Sequence, residues 1–369
     1  MKKIGILTTY FATNFGAMLQ PFALKRTLEN FDFDVEFIRY KQPKVYNVYK
    51  PIHLKRFLST HIQKNIRYLK ECFIYLKKSK NFKKFKLRYL QPKDGFAKDI
   101  DPSKDFYIMG SDQIWNPVVT GGFDDIYFGR FQTKNGAKKI AYAASAESIE
   151  YTPKQADYLK RNLQNFDFIS VREHKLAKDL SNVTGRNDIQ TVLDPTLLAN
   201  PSIYNEIEIK NPLPDQKFVF FYKIRNCWNF IDKIHSYAKQ KKAKLLILSS
   251  WYESAIEEYA RQNSDVTYIP TAGVEIFLGA IRHSECVFTP SFHGCAFPII
   301  FHKPFFSLLL EDNWNTRVND LLNNLGLSER LLTEQTNIVD SSIDFSNVDN
   351  RLQERRDQSI SFLKNSLST

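Results

Sequence analysis

Short apolar runs recur along this chain with helix-patterned stretches between them, and that alternation restricts the fold to parallel α/β sheets. In the first half the predicted strands are Ile4–Thr9, Val35–Tyr40, Asp105–Met109, Lys139–Ala144, Phe166–Val171 and Ile189–Leu193. Helical patterns fall between them, at Ala17–Asn30 and Lys154–Asn165 for instance. Asn211-Pro-Leu-Pro-Asp215 reads as a linker, since two prolines and an exposed acid suit neither a helix nor a buried strand. A second series follows, with strands Phe218–Ile224, Lys244–Ser250, Val266–Ile269, Cys286–Thr289 and Phe305–Leu310. Its helices are Trp228–Gln240, Val274–His283, Gly294–Phe301 and Thr316–Leu325. A length of 369 residues suits two such units. The expectation is two Rossmann-like domains facing a cleft, over residues 1–210 and 211–346. A helix over 347–369 is expected to pack back on the first of them. In open α/β sheets ligands bind beyond the carboxyl ends of the strands, so residues just past each strand are the first candidates.

Charge is distributed unevenly. The formal net charge is +12, and the stretch Lys50–Leu90 carries thirteen Lys or Arg against the single acid Glu71, so the rest is nearly neutral. Within it Leu54, Phe57, Leu58, Ile62, Ile66, Leu69, Phe73 and Leu76 recur at helical steps, which predicts an amphipathic helix with a basic polar face. The aromatic-basic stretch Asn81–Tyr89 follows. Such an insertion at about 50–90 can pack on the first domain with its lysines solvated, or dock on an anionic membrane surface. Nucleic acid is the poorer fit, because no nucleic-acid-binding module accompanies it.

Several classes are excluded. Cys72, Cys227, Cys286 and Cys295 form no C-x-x-C pair, which argues against a disulfide scaffold or zinc ribbon and for a reducing compartment. The start, Met1-Lys-Lys followed by Ile4–Thr9, is too brief for a secretory core, and Phe297–Leu310 is broken by His302, Lys303 and two prolines. A soluble, cytoplasmic protein is expected. No phosphate-loop, dinucleotide, nucleophile-elbow or zincin motif is present. The seven histidines are scattered without a metal-like cluster, and neither a metal nor a resident cofactor is expected.

Three turns carry the chemistry. Thr289-Pro-Ser-Phe-His-Gly294 lies between a strand and a helix, placing His293 beside amide groups and the positive end of a helix dipole. An imidazole there can move a proton, or cap the helix. Thr8–Ala17 follows the first strand, with Asn14 and Gly16 permitting close approach of a ligand. Gly110-Ser-Asp-Gln-Ile-Trp115 follows the third strand; Asp112, Gln113 and Trp115 combine a carboxylate, an amide and a stacking face suited to sugar hydroxyls. Asp112 suits proton acceptance or helix capping equally. Arg172 and Arg317 are candidate anion ligands, each with an acid nearby (Glu173, Asp320) as the alternative partner. Asp194-Pro195 reads as a turn device.

The order of these fragments resembles the polysaccharide pyruvyl transferase family. The resemblance rests on Gly5–Thr8 with Asn14–Gln20, then Gly110–Trp115, Ser170–Glu173, Leu193–Thr196 and Ser291-Phe-His-Gly294, and spans roughly residues 4–330. It implies a glycosyltransferase-B-like fold with an acceptor-side first domain and a donor-side second domain. The implied reaction transfers the enolpyruvyl group of phosphoenolpyruvate to two hydroxyls of a sugar, giving a pyruvate ketal and phosphate. Implied acceptors are sugars of capsule, exopolysaccharide or cell-wall polymers, often lipid-linked at the membrane's inner face. Carried over, His293 is the acid or electrostatic support and Arg172 holds the donor's carboxylate or phosphate; from its own place after a strand, Asp112 is expected to assist the attacking hydroxyl. Arg172, Ser291, Phe292, Gly294 and Arg317 would bind the donor; Asn14, Gly16, Gln113 and Trp115 the acceptor. Ser291 stands where many members carry arginine, and Arg317 is the expected replacement. Two other readings stay open: a nucleotide-sugar glycosyltransferase, and a non-catalytic membrane-associated assembly partner.

Overall fold

The computed structural model describes residues 1–50, 62–93, 100–146, 150–310 and 316–368. Two six-stranded parallel sheets organise the chain. The first contains β1 (Lys3–Leu7), β2 (Asp34–Phe37), β3 (Phe106–Gly110), β4 (Lys138–Ala144), β5 (Phe168–Val171) and β6 (Gln190–Thr191), in the order β2-β1-β3-β4-β5-β6. The second contains β7 (Phe218–Lys223), β8 (Lys244–Ser249), β9 (Val266–Tyr268), β10 (Val287–Thr289), β11 (Phe305–Leu308) and β12 (Leu331–Leu332), in the order β12-β11-β10-β7-β8-β9. The central strands are buried throughout because helices cover both faces, as parallel sheets require. The pair β11–β12 was not expected: two paired residues are too few to leave a periodic signal.

Each order reverses direction once. In the first sheet the reversal lies between β1 and β3, and in the second between β7 and β10. A reversal sends the connections on its two sides to opposite faces, and a crevice opens at the carboxyl ends there. The two crevices face each other.

The halves are joined by an aromatic plug. Phe15, at the start of the helix Phe15–Glu29, stacks on Phe277 of the second sheet's helix Val274–His283 with centroids 4.4 Å apart, and meets Tyr222 of β7 and Phe82. A single core cluster therefore runs through both halves. The helix Phe345–Leu367 lies back against the first half, where Ser359 accepts a bond from the Leu193 amide (3.0 Å) and Arg356 donates to the Leu197 carbonyl (2.8 Å).

The basic segment differs most from expectation. Leu54, Phe57 and Leu58 lie outside the described residues. The helix Ile62–Phe85 leaves Ile66, Leu69, Phe73 and Leu76 exposed, while Tyr68, Cys72, Lys78, Phe82 and Phe85 are buried. The apolar period that predicted a packed face thus marks the outer one. Lys78, expected to be solvated, sits over the Phe15 ring and donates to the carbonyls of Ser249 and Ser250 at 2.7 Å each. Burial pushes its ammonium down to about 7. Asn81 donates to the Thr271 carbonyl, and Tyr75 to the Tyr49 carbonyl, so the helix straps the two halves together.

Phe15→Ala empties the plug and is expected to lower the unfolding free energy by about 3–5 kcal/mol, measured by urea denaturation. A loss below about 1 kcal/mol would show that the plug is dispensable.

Candidate active site

A cavity of about 460 Å³ lies where the two crevices meet. Thr9 and Asn14 reach it from the turn after β1, Asp112 and Gln113 from the turn after β3, Arg225 from beyond β7, and Pro290–His293 from the turn after β10. Arg317 closes one side, with Tyr49 and Trp251 also in the wall.

His293 is placed by its neighbours from the first half. Gly16 passes so close that a Cβ added there would stand 2.1 Å from the ring Nδ1, so only glycine fits without displacing the imidazole. On the other edge, Nε2 lies 3.5 Å from Asp194 Oδ1, longer than an ideal hydrogen bond. Asp194 is fully buried and saturated with donors. Arg172 Nη1 (2.7 Å) and Ser111 Oγ (3.1 Å) bond one oxygen, and the Thr196 amide (2.9 Å) and hydroxyl (2.7 Å) the other. Burial alone would raise this carboxyl; His293, Arg172 and the Thr196 amide outweigh it and hold it far below the usual carboxylate range. Asp194 does act as a turn device, capping Pro195–Leu198. Its role toward His293 had no signal in the local sequence, because its partner lies in the other half.

Arg172 differs from expectation. It does not line the cavity but lies behind it, on Asp194 and over the Phe292 ring with its guanidinium carbon 4.7 Å from the centroid. Phe292 in turn meets the His293 ring edge-on. The neighbouring Glu173 is buried and accepts from the Ser145 hydroxyl; burial pushes its carboxyl up despite Arg172 and Arg317.

Ser291 lines the cavity and also caps the helix Phe292–Ile300, accepting from the Gly294 amide at 3.2 Å. That amide is therefore already engaged, contrary to the expectation that Gly294 offers it to a ligand. Asn14 likewise caps Phe15–Glu29. Trp115 is corrected outright: its ring is buried, stacks on Phe128 and donates to the Tyr127 carbonyl, so it presents no face to a sugar. Asp112 caps no helix. It accepts from the Thr9 hydroxyl and the Gln113 amide at the cavity wall. Arg225, Tyr49 and Trp251 were missed. Arg225 and Trp251 follow strand ends, which was the signal that could have found them; Tyr49 reaches the wall only through tertiary packing.

The family model for polysaccharide pyruvyl transferase matches residues 14–312. The chain belongs to the polysaccharide pyruvyl transferase family. No curated protein matches it. Among solved structures it is similar to the UDP-GlcNAc 2-epimerase of Methanocaldococcus jannaschii (TM-score 0.48, 12% identity, 96% of this chain and 92% of that one). It is also similar to the E. coli heptosyltransferase WaaC with ADP (TM-score 0.39, 9% identity, 96% of this chain and 99% of that one). The family is thus that of a transferase, and among the described residues no helix is long and apolar enough to cross a membrane.

Asp194→Asn strips the charge shared by Arg172 and His293, and is expected to cost about 3–5 kcal/mol at neutral pH. The folded carboxyl is depressed, so its stabilisation is complete above the unfolded pKa of ~3.9 and is lost as pH falls below it. The deficit of the variant, read from urea midpoints, should therefore shrink in acid; an equal deficit at neutral and acidic pH would contradict the pairing.

Proposed function

We propose that the chain transfers the enolpyruvyl group of phosphoenolpyruvate to two hydroxyls of a sugar in a surface polysaccharide or its lipid-linked precursor. The observation that supports this is the presentation of His293 and Asp112 from facing crevices into one cavity that Arg225 and Arg317 also line. The cleft cations suit a donor carrying both carboxylate and phosphate. In this reading Arg317 and Arg225 hold the donor, and Arg172 acts one layer behind by holding Asp194.

In the proposed sequence, His293 gives a proton to the methylene carbon of the donor, forming the methyl group and leaving C2 electron-poor. The first sugar hydroxyl adds to C2 and passes its proton to Asp112. The bond from C2 to the phosphate oxygen then breaks, with the electron pair leaving on phosphate. The second hydroxyl adds to C2 and closes the ketal. Of the two hydroxyl protons, one replaces that given up by His293 and the other departs with phosphate. Asp194 serves this sequence by supporting the imidazolium and fixing the ring. In this reading Gln113 and Asn14, which line the cavity, meet the acceptor. Closure of the two halves over bound substrates would keep water from the activated carbon.

Incubation with phosphoenolpyruvate and lipid-linked saccharides, read by phosphate release and product mass, tests the reading. His293→Ala and Asp112→Asn are each expected to slow phosphate release by about 10²–10⁴-fold with the fold retained by circular dichroism. Near-normal turnover, or a thermal shift with nucleotide-diphosphate sugars and none with phosphoenolpyruvate, would overturn it. Gly16→Ala is expected to reduce turnover by displacing the imidazole, and ordinary rates in that variant would show that the ring position is not critical.

A further inference from the structure

The helix Ile62–Phe85 is held to the body by one face and leaves an unusual surface on the other. Ile66 (62% exposed), Leu69 (50%), Phe73 (58%) and Leu76 (45%) follow one another at three- and four-residue steps. They form a single stripe about 15 Å long at the helical rise. Large apolar side chains scattered singly over a surface need no explanation, but an aligned stripe marks a surface that is covered in use. Farther along the same outward side, Lys80, Lys83 and Lys84 are exposed, with Arg88 following in the next turn. Lys77 lies beside the stripe, its ammonium 4.5 Å over the Phe73 ring.

We infer that this face docks on an anionic lipid bilayer, with Ile66, Leu69, Phe73 and Leu76 entering the interface and Lys77, Lys80, Lys83 and Lys84 meeting the headgroups. Charge decides between occupants. A second copy seated on the stripe by two-fold symmetry would bring like clusters of lysines together, which is repulsive. An anionic headgroup layer complements them, and lysine stems lie along apolar surface while their charges reach the phosphates. The body is prepared for this load, because the inner side of the helix is anchored to both halves through Tyr75, Lys78 and Asn81. That inner side also lines a cavity of about 490 Å³ which shares Trp251 with the catalytic cleft, so the docking helix and the cleft have a wall in common. The inference does not depend on the donor or the reaction.

Co-sedimentation of the full chain with vesicles tests it. The protein should pellet with phosphatidylcholine–phosphatidylglycerol vesicles mixed two to one, stay in solution with phosphatidylcholine alone, and be released as salt is raised. Leu69→Ser/Phe73→Ser and Lys80→Glu/Lys83→Glu/Lys84→Glu should each weaken partitioning at least about tenfold with an unchanged thermal transition, since all five side chains are exposed. The salt titration needs no variant and stands if one misfolds. Wild-type protein that ignores the anionic vesicles, partitioning that both variants leave intact, or a dimer that Phe73→Ser dissolves would each overturn the proposal.

Discussion

The cluster formed by His293 on the buried pair Arg172 and Asp194 is the constraint on which the site depends. Two of its members belong to the first half of the chain and the third to the second. A carboxylate taken fully out of water costs several kcal/mol unless it is paired and hydrogen-bonded. Asp194 meets that condition with a guanidinium, two hydroxyls and an amide before His293 approaches at all. The imidazole thus arrives at a preorganised negative charge.

That arrangement requires the halves to be held in register. Phe15 does this mechanically, since it opens the helix that carries Gly16 and its ring is stacked inside the second half. The same short segment therefore contributes the plug and the backbone against which His293 rests. Stability and site geometry share residues here, so packing changes near Phe15 reach the imidazole directly. The helix Ile62–Phe85 adds a second tie, and its buried Lys78 replaces water with two carbonyls and an aromatic face.

Much of the site was legible from position alone. His293, Asp112, Asn14 and Gln113 lie just past strand ends in the sequence, and the crossing rule for parallel sheets carries such residues to the crevice. Where local reading failed, the cause was direction. Trp115 stands two residues beyond a cleft residue, yet its ring turns inward to Phe128. Ile66, Leu69, Phe73 and Leu76 have a perfect helical period, but periodicity reports that residues share a face and not which face is buried.

By itself the sequence determined two parallel α/β units, their order of elements and the turns that carry the polar groups, because strand and helix periods are short-range properties of the chain. Only the tertiary structure decided that Asp194 would face His293, that Arg172 would stand behind the cleft and that an apolar stripe would be left outside. Those outcomes depend on contacts between residues far apart along the chain, and no local pattern encodes which surfaces will meet.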